Sequence, residues 1–194
     1  MDGVGLGRVG PTGVPALKEW AGVVHALLEG RQTLLLRKGG IREKRFEVGA
    51  RAFLLFPTVA HGHADAVRPG FADLLVSGQD DVSEDRVVLR AACEVVDAIV
   101  VRRPDRLAEV EEFHLWTRES VQRTRVDFRP RHELTALVVR TRPLTPTVEA
   151  PRTREQVGCF SWLTLPGPPP PAGDPVRGDA DLSAVAAAVR DRVG

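Results

Sequence analysis

The sequence predicts a single α+β domain built on a mostly antiparallel sheet, or on a partly closed barrel, with flanking helices. Three observations lead to this prediction. A length of 194 residues suits one domain. Several short apolar runs bounded by turn residues have the composition of strands. One segment near the N-terminus has the apolar spacing of a helix.

The first predicted element is a helix over residues 15–29. Leu17, Trp20 and Val24 fall at steps of three and four, which gives a helix one apolar face. Gly30 follows as a typical C-terminal stop, because glycine adopts the left-handed conformation that ends many helices. We therefore expect Trp20 to anchor the core.

Strands are predicted where apolar runs meet turn residues. The runs at 32–36 and 46–56 predict two strands that pair as a hairpin with a broad loop. The longest apolar stretch, 86–101, is rich in valine and predicts one long strand or two bent ones. The remaining predicted elements are a short helix at 69–76, a helical segment at 104–123, and strands at 134–140 and 160–165.

Composition divides the chain into four parts. Residues 1–13 are rich in glycine and predict a flexible N-terminal tail, and residues 14–166 form the predicted globular domain. Residues 167–180 are rich in proline and glycine and predict a stiff linker. Residues 181–194 predict a C-terminal helix, with Asp181 as its N-terminal cap.

Charge and cysteine content limit the functional classes. The net charge is +1, so any attraction for nucleic acid must be local. No apolar run reaches the roughly 18 residues that span a bilayer, which predicts no membrane contact. The two cysteines form neither a metal-binding pattern nor a disulfide framework. We therefore expect a cytoplasmic protein with reduced thiols.

A turn after the first predicted strand is a candidate phosphate site. Arg37, Lys38, Gly39 and Gly40 would place two backbone N–H groups beside two positive side chains. The alternative is an ordinary hairpin turn that needs the freedom of glycine, with its basic residues exposed.

Histidines supply the candidates for catalysis and for metal binding. In an extended strand, His61, His63 and Asp65 would share one face and suit a divalent cation. Short His-x-His pairs are frequent, however, and the alternative is a solvated loop. We therefore assign no metal from the sequence, which also leaves the cofactor unknown. His61 and His114 remain the candidates for a general base.

Aromatic residues form a third group of candidates. His114 and Trp116 precede a run of arginines, a combination typical of a platform that stacks bases and neutralises phosphates. Alternatively, Leu115 and Trp116 fill the core of an amphipathic helix. Trp162 is the second candidate for base stacking.

Five segments together resemble the bacterial family called domain of unknown function 1802. They are residues 16–21, 34–41, 53–58 with His61, 113–117 and 158–162, in this order. The resemblance covers about residues 15–166. It implies a histidine after Phe-Pro-Thr, which favours His61 over His63, and it implies no activity. The family's short strands with helices at the edges are similar to small RNA-binding barrels, an analogy at the level of the fold alone.

Three functions remain open from the sequence, which does not decide whether the protein is an enzyme. The first is a binding module for nucleic acid or a phosphorylated nucleotide, with phosphate held by the Arg37–Gly40 turn and a base stacked on Trp116 or Trp162. The second is a hydrolase or phosphodiesterase that uses His61 or His114, with or without a metal. The third is an accessory protein-interaction domain without a site of its own.

Overall fold

A computed structural model describes residues 13–39, 44–59, 64–156, 158 and 160–194. Gly40, His61, His63 and Cys159 lie outside the described residues. The strands are β1 (Val14–Trp20), β2 (Leu34–Lys38), β3 (Ala52–Thr58), β4 (Arg86–Val100), β5 (Leu134–Pro151) and β6 (Trp162–Leu165), and the α-helices are α1 (Ala21–Leu28), α2 (Ala72–Gln79), α3 (Arg118–Val121) and α4 (Asp179–Val193). Shorter helical turns are the 3-10 segments Ala64–Ala66, Pro69–Phe71, Pro104–Phe113 and Arg154–Gln156, and the π-helical segment Gln122–Asp127.

The strands form one six-stranded sheet in the order β2-β5-β4-β3-β1-β6. All neighbouring pairs are antiparallel except β1 and β3, which run parallel. Within the described residues no ladder joins the edge strands β2 and β6, so the sheet stays open. The predicted α+β class with a mostly antiparallel sheet is confirmed, and within the described residues the sheet is not closed into a barrel.

The sheet is nevertheless strongly curved. Three strands separate β2 from β1 in the sheet order. Even so, Nη1 of Arg37 on β2 lies 2.9 Å from Oε2 of Glu19 on β1. A flat sheet would hold these strands about four strand spacings apart, or roughly 19 Å. The long strands β4 and β5 contribute to the curvature through register shifts at Leu89/Ala91 and Val95/Asp97.

The predicted helix over residues 15–29 is wrong in its first half. Residues 14–20 form β1, and only α1 is helical. Leu17 and Trp20 fit a helical spacing, but parallel pairing of β1 with β3 fixes this segment as a strand inside the sheet. Tertiary pairing here overrides the local pattern. The predicted stop is confirmed, because Gly30 adopts a φ of +68° just after the helix.

The predicted hairpin between residues 32–36 and 46–56 is also wrong. Both segments contain strands, but β2 pairs with β5, and β3 pairs with β1 and β4. Two strands therefore lie between β2 and β3. Since the connection between them is broad, no tight turn fixes local pairing, and the long strand β5 supplies the partner instead.

The other predicted elements are present with changed bounds. The stretch 86–101 forms the single long strand β4, and the strand predicted at 134–140 extends to Pro151. The segment predicted as helical at 104–123 contains a 3-10 turn and the short helix α3. Together with the π-helical segment Gln122–Asp127, it makes a long excursion between β4 and β5.

The sheet buries apolar residues on both faces. Leu17, Phe53 and Leu55 belong to the larger core, which α1, α2 and α4 cover. Their neighbours along the strands, Ala16 and Leu54, belong to a smaller core. Because successive residues of a strand point to opposite faces, the two cores lie on opposite sides of the sheet.

The C-terminal helix packs on the domain. Along the preceding segment, Gly173 N donates to Pro143 O at 2.8 Å and Val176 N donates to Thr141 O at 2.9 Å, so this segment follows β5. α4 then buries one face against the larger core, through Leu182, Ala186, Val189 and Val193. Residues 181–194 thus share the core of the domain.

We expect Leu182→Ala to lower the free energy of unfolding by about 3 kcal/mol, since it removes a fully buried side chain. Ser183→Ala, on the exposed face of the same helix, should change it by less than about 0.5 kcal/mol. Urea denaturation followed by circular dichroism measures both. Equal stabilities of the two variants would show that α4 does not contribute to the folding unit.

Candidate anion-binding site

A buried ion pair lies at the centre of the candidate site. Glu19, at the end of β1, is 6% exposed. Its Oε2 accepts a hydrogen bond from Arg37 Nη1 at 2.9 Å, and its Oε1 accepts one from the Trp20 backbone N–H at 2.9 Å. Arg37 Nη1 also donates to the Lys18 carbonyl at 3.1 Å. The predicted ligand residue Arg37 is therefore held in a fixed orientation.

Lys38 joins the end of β2 to the π-helical segment. Its Nζ donates to the carbonyls of Arg125 at 2.6 Å and of Val126 at 3.2 Å. Burial lowers the pKa of Lys38, and the nearby charge of Arg125 lowers it further, whereas Asp127 raises it. Lys38 thus stabilises the excursion between β4 and β5, and its charge sits beside a second cation.

Arg125 is the third cation of this group. Its Nε donates to the Leu36 carbonyl at 3.0 Å and its Nη1 donates to the Thr124 carbonyl at 3.3 Å. Burial lowers the pKa of Arg125, Glu19 opposes this shift, and Arg37 adds to it. Arg125 Nη2 makes no hydrogen bond to any residue that the structure describes. A donor on a partly buried cation is therefore left for an external acceptor.

We call Arg37, Lys38 and Arg125, with Glu19, the cationic cluster. Three positive side chains here share one buried carboxylate, because Asp127 is exposed. Burying charge without compensation is costly, and a surplus of partly buried positive charge favours binding of an anion. Gly39 is buried at the end of β2, and its partner in the predicted turn, Gly40, lies outside the described residues.

Phe128 and its neighbours form an exposed surface beside the cationic cluster. Phe128 is 53% exposed, and the Arg129 guanidinium lies 4.8 Å from its ring centroid. Arg123 and Arg131 are exposed on the same segment. Arg129 adopts a φ of +51°, a conformation that L residues rarely take and that recurs at functional sites. We call residues 118–131 the arginine segment.

Sequence reasoning recognised the run of arginines but missed Phe128. The signal was present, because a phenylalanine between Asp127 and Arg129 has no apolar neighbour in sequence to pack with. A second exposed aromatic residue, Phe160, is 41% exposed and holds Lys18 Nζ 3.9 Å from its ring centroid. The most exposed aromatic rings are therefore Phe128 and Phe160, whereas the sequence predicted Trp116 and Trp162 as the rings that contact a ligand.

The two candidate tryptophans are packed against other aromatic rings. Trp116 is 5% exposed, and its ring meets Trp20 edge-on with centroids 4.2 Å apart. This placement favours the alternative in which Trp116 fills the core. Trp162 is partly exposed, stacks on Phe46 at 6.0 Å and donates from Nε1 to the Glu47 carbonyl at 3.0 Å. Its face and its donor are thus already engaged.

Phe46 connects Trp162 to the cationic cluster. The Arg37 guanidinium lies 5.2 Å from the Phe46 ring centroid, on the residue that also stacks on Trp162. The structure therefore brings Arg37, Lys38 and Trp162 into one region.

Asp65 is exposed on the 3-10 turn Ala64–Ala66. Among the described residues, no three His, Cys, Asp or Glu side chains are grouped to hold a metal ion.

His114 is buried and neutral. It is 1% exposed, and its Nδ1 accepts a hydrogen bond from the Trp116 backbone N–H at 3.2 Å. Burial, followed by the charges of Arg68 and Arg125, lowers the pKa of His114 to about 4. Since Nδ1 is an acceptor in the neutral ring, the proton sits on Nε2. At neutral pH, Nε2 is therefore a donor, which favours ligand recognition over proton abstraction.

His114 Nε2 has no hydrogen-bond partner within the described part of the chain. The residue lines a partly enclosed cavity of about 110 Å³. The local backbone is fixed on both sides, because His114 N donates to the Glu111 carbonyl at 3.3 Å and Thr117 Oγ1 caps α3 by accepting from Ser120 N at 3.2 Å. A buried donor without a partner is uncommon, and binding sites are one place where it occurs.

The acid sensitivity of the fold should report this histidine. The unfolded-state pKa is about 6.5, above the folded value of about 4. Acidification through this window protonates the unfolded state first and so removes stability. From pH 7 to pH 5 the wild-type protein should lose about 2 kcal/mol more than His114→Gln does. Urea denaturation at both pH values measures the difference.

A ring that titrates near pH 6.5 in an imidazole NMR titration of the native protein would contradict the neutral, buried state of His114. The same long-range ¹H–¹⁵N spectra check the tautomer directly. We expect the resonance of a protonated Nε2 and an unprotonated Nδ1 at pH 7.

Among the described residues, no helix is long and apolar enough to span a membrane.

The model of the family described as Domain of unknown function (DUF1802) matches residues 16–188. A comparison with curated proteins finds no match. Two solved structures are similar, both of mutant ZmASCH from Zymomonas mobilis. A serine-to-alanine mutant has a TM-score of 0.46 and 11% identity, over 78% of this chain and 87% of that chain. A tyrosine-to-phenylalanine mutant has a TM-score of 0.41 and 10% identity, over 73% and 76%. At these TM-scores the similarity carries no functional inference.

Proposed function

The chain belongs to the DUF1802 family, for which no activity is established, and we propose that it is a binding module for single-stranded nucleic acid or a phosphorylated nucleotide. The cationic cluster holds phosphate, and the arginine segment provides further phosphate contacts together with an exposed aromatic ring. The observation that carries the proposal is the surplus of partly buried positive charge at Arg37, Lys38 and Arg125 around one buried carboxylate.

Charge and exposure support phosphate as the ligand. The net charge of the chain is +1, so its positive potential is local and lies where cations outnumber carboxylates. Arg125 offers an unused Nη2, and a guanidinium suits phosphate oxygens in geometry as well as in charge. Lys38 and Arg37 are held by intramolecular bonds, so they contribute mainly through their charge.

Phe128 supports a nucleobase as the second recognised group. An exposed ring with an adjacent guanidinium is a surface on which a base stacks, at about 1–3 kcal/mol per base. Such stacking accepts any base and needs an unpaired one, since bases in a duplex already stack on each other. The ring therefore favours single strands over duplexes. It takes the role in base stacking that the sequence had assigned to Trp116 and Trp162.

The neutral state of His114 gives the hydrolase alternative no support at this residue, because a ring with its proton on Nε2 and a pKa of about 4 does not take up a second proton at neutral pH. His61 lies outside the described residues. The binding function therefore has the stronger structural basis.

Binding should weaken with salt in a way that identifies the contact residues. We expect a fluorescein-labelled single-stranded RNA to bind at 50 mM salt, with affinity falling linearly on a log–log plot. Arg123→Gln and Arg131→Gln should each weaken binding and reduce the slope by about 1, because each removes about one phosphate contact. Fluorescence anisotropy titrations measure both quantities. Mononucleotides serve as a second set of ligands and separate nucleotide binding from strand binding.

Arg154→Gln is the matched control. The substitution removes the same charge, and Arg154 is exposed and lies outside the arginine segment. It should change neither the affinity nor the slope by more than the experimental error. Equal effects of all three substitutions would mean that only net charge matters. Absence of binding to RNA, DNA and mononucleotides at low salt would refute the proposal.

A further inference from the structure

The cavity at His114 lies at the start of the arginine segment. It is bounded by the 3-10 segment Pro104–Phe113 on one side and by α3 with the first π-helical residue on the other. Its volume is about 110 Å³. For comparison, an apolar protein cavity of about 150 Å³ binds benzene. The space therefore suits the edge of one flat heterocycle, with any attached sugar and phosphate outside.

Both apolar and polar groups line this cavity. Leu107 and Val121 provide apolar surface, and Asp105, Glu111 and Arg118 provide charges. Within the described residues, the side chains of Glu111 and Arg118 make no hydrogen bond or ion pair. Apolar walls with a few polar groups that lack partners are typical of sites for small organic ligands.

The hydrogen-bonding requirement of the cavity is specific. The Nε2–H of His114 is a buried donor that needs an acceptor. Two carboxylates line the cavity, Asp105 and Glu111, and the second belongs to the residue whose carbonyl accepts from His114 N. The Glu111 carboxylate offers only acceptors and can receive two adjacent donors. A matching ligand edge therefore carries an acceptor followed by two donors. The Watson–Crick edge of guanine has this order, with O6, N1–H and the N2 amino group.

We propose that the cavity receives the Watson–Crick edge of a guanine base, with His114 Nε2–H donating to O6 and the Glu111 carboxylate accepting from N1–H and N2–H. This inference rests on the proposed function and adds base specificity to it. Uracil would place its O2 against the carboxylate, and adenine and cytosine would place an amino group against the Nε2–H donor. Each of these pairings leaves a buried polar group unsatisfied.

The position of the cavity links base recognition to phosphate binding. Arg118 lines the cavity and is the first cation of the arginine segment. Arg125 of the cationic cluster lies close enough to His114 for its charge to be felt there. A guanosine seated in the cavity would thus extend its phosphate toward cations that the structure already provides. One strand could meet the cavity and Phe128 along the same segment.

The test uses four fluorescein-labelled RNA nonamers that differ only in the central base of a uridine run, titrated in fluorescence anisotropy at low salt. We expect the guanine nonamer to bind about tenfold more tightly than the adenine, cytosine and uracil nonamers. Glu111→Gln replaces one acceptor by a donor and should lower the affinity for the guanine nonamer about tenfold, to the level of the uracil nonamer.

Glu112→Gln is the matched control, because it removes the same charge from the neighbouring residue, which pairs with Arg192 and does not line the cavity. It should keep the guanine preference. Phe128→Ala should weaken all four nonamers by the same factor, since stacking does not distinguish bases. Circular dichroism of each variant confirms that it is folded.

The outcomes separate this inference from the proposed function. If all four nonamers bind within a factor of two of one another, the guanine site is refuted and nucleic-acid binding stands. A preference that Glu111→Gln retains also refutes the guanine site. If no nonamer binds the wild-type protein, the proposed function fails, and the guanine site fails with it.

Discussion

The buried ion pair between Glu19 and Arg37 links the curvature of the sheet to the candidate site. It joins β1 to β2 although three strands lie between them in the sheet. Removing either partner would leave the other charge buried, at a cost of about 3–5 kcal/mol. The pair therefore holds the curvature of an otherwise open sheet. It also fixes Arg37 and, through the next residue of β2, Lys38.

That curvature places an irregular segment where positive charge accumulates. Lys38 binds two carbonyls of the π-helical segment Gln122–Asp127, and Arg125 of that segment binds the Leu36 carbonyl in return. These reciprocal bonds fix the excursion against the edge strand β2. As a result Phe128, which directly follows the segment, stays exposed beside the cations. The hydrogen bonds between β2 and the π-helical segment thus keep the Phe128 ring on the surface.

His114 illustrates how the same segment combines structural and recognition features. Its Nδ1 accepts a hydrogen bond from the Trp116 backbone N–H, which fixes the tautomer with the proton on Nε2. Burial lowers the pKa of His114, the charges of Arg68 and Arg125 lower it further, and the ring therefore stays neutral. Trp116 itself packs on Trp20 in the core. His114 is therefore left with one polar side-chain atom, Nε2, for a ligand.

The sequence predicted the class of fold and the long strands but not the arrangement of the strands. Residues 86–101 are so rich in valine that β4 was predictable from composition alone. The strand β1 was not, because Leu17 and Trp20 match a helical spacing and its parallel partner lies more than 30 residues away. Likewise, the pairing of β2 with β5 depends on contacts about 100 residues apart in sequence.

The site was predictable in its charges and not in its geometry. Arg37 and Lys38 stood out as basic residues at the end of an apolar run. Their buried partners, Glu19 and the carbonyls of residues 125 and 126, become neighbours only through the curvature of the sheet. Exposure decides which aromatic ring is available to a ligand. For Phe128 the polar neighbours Asp127 and Arg129 were the one signal of exposure, because a short irregular segment has no periodicity that assigns its residues to a face.

Binding at the cationic cluster is tested most directly by ¹H–¹⁵N NMR of the arginine Nε–Hε resonances while a single-stranded oligonucleotide is added at low salt. We expect the resonances of Arg125 and Arg129 to shift together and saturate, whereas that of Arg154 stays in place. Shifts at Arg154 with an unchanged Arg125 would contradict this expectation, because the ligand would then bind away from the cationic cluster.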